Sequence, residues 1–340
     1  MKTASFRDAR KLSERAWQRG DSPGFRGMRL TVRVFSIRVR LPFAHMALNN
    51  PDRQDAGNGS RGVTFIVPCF NEEPGVLLRT AARLRDAASA AKWAHEIIVV
   101  DDGSTRFAYD EAALGGARLV RHKENHGYGT SLSTGLRYAK FPWIGIIDAD
   151  GTYPAEKFAD MLHLTHEYQM VIGARGWDDI PWLRRLPKRC LTRLASFLAD
   201  HPIPDLNSGM RVFHREIYDD HRRLYPDRFS FSSTLTMVSL TSGYETCFVK
   251  IDYLERVGRS TIHPLKDPVR FAYQLMRLSL YFRPLRFFIP LSGMIGVLAV
   301  ARGLRDLVLN NHFGGLTLVL FFMAFQVFFF GLIAEIINKK

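Results

Sequence analysis

Short apolar runs recur along the first half of the chain, each ending abruptly in polar residues. Val63-Thr-Phe-Ile-Val-Pro68 is the first, Glu96-Ile-Ile-Val-Val100 the second and Ala117-Arg-Leu-Val-Arg121 the third. Trp143-Ile-Gly-Ile-Ile-Asp148 and Tyr168-Gln-Met-Val-Ile-Gly173 follow. Between them, Val76 to Ala91, Gly129 to Ala139 and Ala155 to His166 place apolar residues at helical spacing. Strands alternating with helices predict βαβ units, hence an α/β fold with a mostly parallel sheet covered by helices on both faces. Such sheets bind ligands beyond the carboxyl ends of their strands, where every polar motif of this half falls.

The pattern changes beyond Gly258. Asp267 to Arg283 spaces Phe271, Leu275, Leu278 and Phe282 as on an amphipathic helix, which suits a membrane interface or a protein surface. Leu285 to Ala301 is almost uncharged, and Leu316 to Ile337 is apolar apart from Gln326 and Glu335. Runs of this size can cross a bilayer, predicting a two-helix transmembrane hairpin that turns near Asn310-Asn-His312. Arg302 and Arg305 would snorkel or face the far side.

The chain has 340 residues and a net charge of +14. Its basic residues cluster in the first sixty positions, in Arg184 to Arg193 and in Arg256 to Arg286. The last cluster abuts the hairpin; with Lys339-Lys340 it predicts an integral membrane protein whose α/β domain and both termini are cytoplasmic. Zinc-finger spacing and an Arg-rich recognition helix are missing, so membrane replaces nucleic acid as the expected partner. Cys69, Cys190 and Cys247 are scattered and odd in number, which excludes a disulfide framework and fits a reducing compartment. Residues 1–61 form a basic arm without the apolar stretch of a secretory signal, or an over-long start with Met46 as the alternative first residue. Within this arm, Met28 to Leu41 suits an amphipathic strand or surface helix, and Asn58-Gly-Ser-Arg-Gly62 a flexible joint.

Three motifs carry candidate chemistry. Asp148-Ala-Asp150 follows the fourth strand, where two carboxylates can converge on a hard divalent cation that also takes diphosphate oxygens. Alone, the same pair also suits a solvated loop. Asp101-Asp-Gly-Ser104 follows the second strand; its carboxylates suit a base N–H or ribose hydroxyls, or equally a turn or helix cap. Asn71 and Glu72, after Pro68, suit a ribose or the cap of the next helix.

Six segments occur in order: Ile66-Val-Pro-Cys-Phe-Asn-Glu-Glu73, Val99-Val-Asp-Asp-Gly-Ser104, Asn125-His-Gly-Tyr-Gly129, Asp148-Ala-Asp150, Gly173-Ala-Arg175 and Asn207-Ser-Gly-Met-Arg211. This set resembles the family 2 glycosyltransferases of GT-A fold, in particular the polyprenyl-phosphate sugar synthases of the dolichol-phosphate mannose synthase type. The likeness covers residues 62–262, and the terminal hairpin is similar to the anchor of that subgroup. It implies a Rossmann-like GT-A domain over 62–262, an interfacial helix over 263–284 and a membrane hairpin over 285–340.

The same resemblance implies a nucleoside pocket lined by Pro68, Asn71, Glu72, Asp101 and Asp102. Asp148 and Asp150 would hold Mg²⁺ or Mn²⁺, with Arg175 near the phosphates. Arg211 would lie at the acceptor side, and Asp205 would be the acceptor-side carboxylate. Arg189 and Arg193, on a basic helix, would bind an acceptor phosphate or form a solvated or lipid-facing surface. The implied activity is inverting, metal-dependent transfer of one sugar from a UDP- or GDP-sugar to a lipid acceptor, with polyprenyl phosphate foremost, in cell-envelope synthesis. Self-association through the membrane helices is a further expectation.

Two departures bear on the acceptor. Related enzymes commonly carry a Glu in the segment matching Phe229-Ser-Phe-Ser-Ser-Thr-Leu-Thr-Met237, and Arg256-Val-Gly-Arg-Ser-Thr261 ends in Thr where their motif has Lys. No Gln-x-x-Arg-Trp motif is present, which argues against a processive synthase. A hydroxyl acceptor, needing Asp205 as base, is the alternative chemistry. A non-catalytic membrane scaffold is the alternative class; a pyrophosphorylase would need a Gly-rich basic phosphate loop that is missing.

Overall fold

In the computed structural model, the structure describes residues 34–36, 61–176, 182–227, 230–254 and 266–338. The remainder of the N-terminal arm, the Arg256–Thr261 motif and Lys339-Lys340 lie outside the described residues.

The elements run as β1 (Val34–Ser36), β2 (Gly62–Cys69), α1 (Pro74–Ala90), β3 (Ala94–Asp101), β4 (Arg118–Arg121), α2 (Tyr128–Tyr138) and β5 (Trp143–Ile146). Then come α3 (Phe158–His163), β6 (Met170–Arg175), α4 (Trp182–Ala199), β7 (Arg211–His214), α5 (Glu216–Asp219), α6 (Phe231–Thr241) and β8 (Thr246–Ile251). The chain finishes with α7 (Lys266–Phe282), α8 (Pro284–Asn310) and α9 (Gly315–Asn338).

The eight described strands form one sheet in the order β1-β8-β6-β7-β5-β2-β3-β4. β2, β3, β4 and β5 are mutually parallel, as are β6 and β8. β7 runs antiparallel to both β5 and β6, so β5 and β6 point the same way with β7 threaded between them. β7 and β8 were not among the anticipated strands. A four-residue run such as Arg211-Val-Phe-His214 has too little periodicity to announce itself; its neighbours in the sheet make it a strand. The helix expected over 155–166 is divided, with α3 flanked by 3-10 turns at Ala155–Lys157 and Leu164–His166. From the arm, Val34, Phe35 and Ser36 add an antiparallel edge to β8.

Strand pleating divides the apolar residues between two cores. Phe65, Val67, Ile97 and Val99 face Leu77 and Leu84 of α1 and Phe158 and Met161 of α3. Ile66, Ile98, Ile144 and Ile146 face Leu132 and Leu136 of α2, Leu198 of α4 and Leu235 of α6. Burial on both faces explains why these strands read as continuous apolar runs. Truncating one such side chain, Leu84 for example, costs about 2–5 kcal/mol.

Helix α7 belongs to the second core, since Leu275 and Leu278 are buried there. Gln274 donates to the Leu224 carbonyl and to Thr234 Oγ1, at 3.3 and 3.2 Å. The stripe through Leu275 and Leu278 therefore meets protein, and the outward face carries Tyr273, Arg277 and Tyr281. Helices α8 and α9 form the C-terminal hairpin, each long and apolar enough to cross a membrane. Arg286 ties its base to α4, donating to the Phe197 carbonyl at 2.7 Å and pairing with Asp200 at 2.5 Å. Asn338 donates to the Leu280 and Tyr281 carbonyls of α7. At the turn, buried Asp306 accepts from Gly314 N and Thr317 Oγ1 at 3.1 and 2.7 Å, capping α9.

Candidate active site

Parallel pairing brings Cys69, Asp101, Ile146 and Arg175 to the same end of the sheet, because each closes a strand of the same direction. The antiparallel β7 starts there, so Asn207 to Met210 enter from that end as well. Five of the six sequence motifs, far apart in the chain, thus share one rim.

Asp101 and Asp102 hold the loops of this rim. Asp101 is buried; its Oδ1 accepts from Ser104 N at 2.9 Å and its Oδ2 from Arg121 Nε at 3.0 Å. Asp102 accepts from His126 N at 3.0 Å and Gly127 N at 2.7 Å, and its Oδ1 lies 2.7 Å from His122 Nδ1. Gly103 has φ +73°, and a Cβ there would lie 2.6 Å from the Glu124 backbone, so only glycine fits the turn. The backbone N–H of Asn71 donates to Ser104 Oγ, and the side-chain Oδ1 of Asn71 accepts from Thr105 N and Arg106 N at 2.9 and 2.8 Å. Asn71 therefore clasps the loop after β3, and does not cap α1. Glu72 contributes its carbonyl to the Tyr109 hydroxyl at 2.7 Å. Pro68 sits within β2 opposite Val100.

Asp148 is half-buried and Asp150 buried. The Tyr128 hydroxyl donates to Asp148 Oδ1 at 2.9 Å. Burial pushes the Asp148 carboxyl up to about 6, and the charge of Asp150 adds to the rise. Asp150 Oδ1 accepts from Thr152 Oγ1 and N, at 2.6 and 3.1 Å. Gly209 fits against Asp148 so closely that a Cβ would lie 2.1 Å from Oδ2, and its N–H donates to the Tyr153 hydroxyl oxygen at 2.7 Å.

Arg175 is gripped in a fork by buried Asp205, Nε to Oδ2 at 2.6 Å and Nη2 to Oδ1 at 3.0 Å. The rings of Tyr153 and Tyr253 lie 5.9 and 5.3 Å from its guanidinium carbon. Burial alone would lower Arg175, but the Asp205 carboxylate holds it well above its ordinary value. Both Asp205 oxygens, at the position expected to carry the acceptor-side carboxylate, thus serve the guanidinium of Arg175.

Arg211 is fully buried. It donates to the Ser232 carbonyl at 2.7 Å, to Thr236 Oγ1 at 3.2 Å and to the Ser208 carbonyl, tying β7 to α6. That is a structural clamp in place of the acceptor contact expected from sequence, since a guanidinium without surface cannot meet a lipid phosphate. Arg189 and Arg193 lie exposed on α4 with Leu194 and Phe197.

Among the described residues no three His, Cys, Asp or Glu side chains gather as a metal cage. A Mg²⁺ or Mn²⁺ ion suits two carboxylates nonetheless, because such ions take the rest of their oxygens from water and a diphosphate. Asp148 and Asp150 fit that donor set as two carboxylates two residues apart at the carboxyl end of β5, with the charge of each felt by the other. Tyr128, Tyr153, Tyr253 and Gly209 are site residues to which sequence reading gave no role. Tyr128 and Gly209 lie inside motifs already singled out, but only contact distances reveal what they touch.

Comparison with known proteins follows the same division. Residues 64–222 match Glycosyl transferase family 2, and residues 283–339 match the GtrB C-terminal hairpin. The dolichyl-phosphate hexose transferase of Haloferax volcanii is 28% identical over 224 residues, 64% of this chain and 94% of that relative. The undecaprenyl-phosphate 4-deoxy-4-formamido-L-arabinose transferase of Sodalis glossinidius is 25% identical over 300 residues, 82% of this chain and 88% of the relative. Glucosyl-3-phosphoglycerate synthase from Mycobacterium tuberculosis, solved with Mn²⁺, uridine diphosphate and glucosyl-3-phosphoglycerate, is similar at a TM-score of 0.49 and 18% identity, over 72% of this chain and 85% of that one.

Proposed function

We propose, from the premise that the chain belongs to glycosyl transferase family 2 and ends in a GtrB-type hairpin, that it moves one sugar from a nucleotide-sugar to polyprenyl phosphate at the cytoplasmic face. The transfer inverts the anomeric carbon and depends on Mg²⁺ or Mn²⁺. In this reading residues 62–262 are the catalytic domain, 263–284 lie at the membrane surface and 285–340 anchor the protein.

The observation that carries the reading is the carboxylate pair Asp148 and Asp150 at the carboxyl end of the sheet, beside an Arg175 that Asp205 already holds in place. Asp148 and Asp150 would hold the cation, which supplies positive charge to the departing diphosphate. Asp101, Asp102 and Asn71 shape the nucleoside side by fixing its loops. Arg175, pre-set by its fork and two tyrosine rings, meets phosphate without reorganising.

An oxygen of the acceptor phosphate forms the new bond to the anomeric carbon as the bond to the nucleoside diphosphate breaks. That oxygen is anionic near neutral pH, so no general base is required; positioning and charge stabilisation suffice. The engagement of both Asp205 oxygens by Arg175 supports this over a hydroxyl acceptor. The names of the two relatives, transferases of dolichyl and undecaprenyl phosphate, support the same acceptor class. Exposed Arg189 and Arg193 are the basic residues proposed to meet its phosphate.

The test is transfer from radiolabelled UDP- and GDP-sugars into extractable lipid by purified protein with undecaprenyl phosphate. Metal-dependent label in a mild-acid-labile lipid is the expected result. Donor hydrolysis without lipid label would redirect the acceptor to a hydroxyl.

A further inference from the structure

Tyr128 stands where two parts of the rim meet. Asp102 accepts from the N–H groups of His126 and Gly127, the two residues just before Tyr128. Gly127 takes φ +101°, and Tyr128 opens α2 immediately after it. The hydroxyl of Tyr128 then donates to Asp148 Oδ1 at 2.9 Å. A continuous set of hydrogen bonds and one short peptide thus links the carboxylate behind β3 to the one behind β5.

The close fit of this link argues against accident. Gly129, next in sequence, lies against the Pro226 carbonyl, where a Cβ would come within 2.0 Å. Thr130 N donates to the Asp227 carbonyl at 2.6 Å. The first turn of α2 is therefore anchored on three sides, by Asp102, by Pro226 and Asp227, and by Asp148. Gly209 also packs against the Asp148 carboxyl, where a Cβ would lie 2.1 Å from Oδ2. A carboxylate gripped in this way has little freedom to rotate.

We infer that Tyr128 is a positioning residue that sets the orientation of Asp148 for the divalent cation and couples it to the loop held by Asp102. The inference rests on the metal reading given above. A group that orients a ligating carboxylate typically contributes about ten- to a hundredfold in metal affinity. Tyr128→Phe removes only the hydroxyl and keeps the ring, so the fold is retained; a thermal unfolding curve checks this.

The test is water-proton relaxation enhancement by Mn²⁺, which rises only when the ion is carried by the slowly tumbling protein. Full-length detergent-solubilised wild type, Tyr128→Phe and Asp150→Ala are titrated with Mn²⁺ in the presence of UDP, and in a second series GDP. The expected result is saturable enhancement for wild type in at least one series, none for Asp150→Ala, and a half-saturating Mn²⁺ concentration about tenfold higher for Tyr128→Phe. A double-mutant cycle adds specificity: in an Asp148→Asn background, Tyr128→Phe should change nothing further. Coinciding curves for wild type and Tyr128→Phe overturn the inference while leaving the metal reading intact. No enhancement above Asp150→Ala in either series overturns both. An equal effect of Tyr128→Phe in the Asp148→Asn background also overturns it, because Tyr128 would then act by another route.

Discussion

The carboxyl rim of the sheet and the C-terminal hairpin solve opposite problems. At the rim, charged groups such as Asp101, Asp150 and Asp205 are buried, and Asp101 and Asp205 are held by donors on both oxygens. In the hairpin, apolar side chains such as Val297, Leu304, Phe322 and Phe325 are exposed along both helices. A buried charge is tolerable only where partners replace its water, whereas two whole helices of exposed hydrocarbon suit a lipid solvent. The difference teaches that the rim depends on individual atoms, while the hairpin depends on composition.

Substitutions can break or sharpen this contrast. The largest effect is expected from Asp150→Ala, which should lower metal-dependent sugar transfer by about two to three orders of magnitude in the radiolabel assay. Asp205→Ala should destabilise the domain by about 3–5 kcal/mol in chemical unfolding, because it removes the buried partner of the part-buried Arg175 guanidinium.

The two regions can then be compared by one mutation type. Gly209→Ala, which drives a Cβ against Asp148, should cost about 1–3 kcal/mol and reduce transfer; Gly293→Ala, with nothing within 4 Å, should leave both unchanged. A comparable loss at both glycines would erase the contrast.

Acid provides a subtler probe. With metal removed by EDTA, folded Asp148 keeps its proton up to about 6, while the unfolded group releases it near 3.8. The folded state binds more protons across that window, so this group's contribution to stability falls as pH rises through it. Asp148→Asn should flatten that slope in thermal unfolding measured from pH 4 to 7. The smallest effect is expected at the hairpin base: Arg286→Ala breaks a pair with half-exposed Asp200 and should cost about 1 kcal/mol or less.

Much of this organisation was legible in the chain. The runs ending at Pro68, Val100 and Asp148 read as parallel strands because burial on both faces leaves them almost wholly apolar; Thr64, a polar exception inside the first, donates to Glu96. The hairpin read from length and polarity alone. Its base did not: Arg286, Asp200 and Asn338 have no local signal, since their partners lie on other helices. The stripe on α7 illustrates the ambiguity of an apolar face, which looks the same whether lipid or protein covers it; here Leu275 and Leu278 meet protein.

Local pattern thus determined the parallel βαβ frame, the membrane hairpin and the rim on which the acidic motifs stand, because these follow from periodicity and from residues adjacent in sequence. Tertiary structure alone decided what each charged side chain does there. It turned Arg211 into a buried clamp, bound Asp205 to Arg175, set Tyr128 and Gly209 against Asp148, and slipped antiparallel β7 between β5 and β6. Those outcomes depend on contacts between residues tens of positions apart, and a hydrogen bond of 2.9 Å has no counterpart in the spacing of letters along a chain.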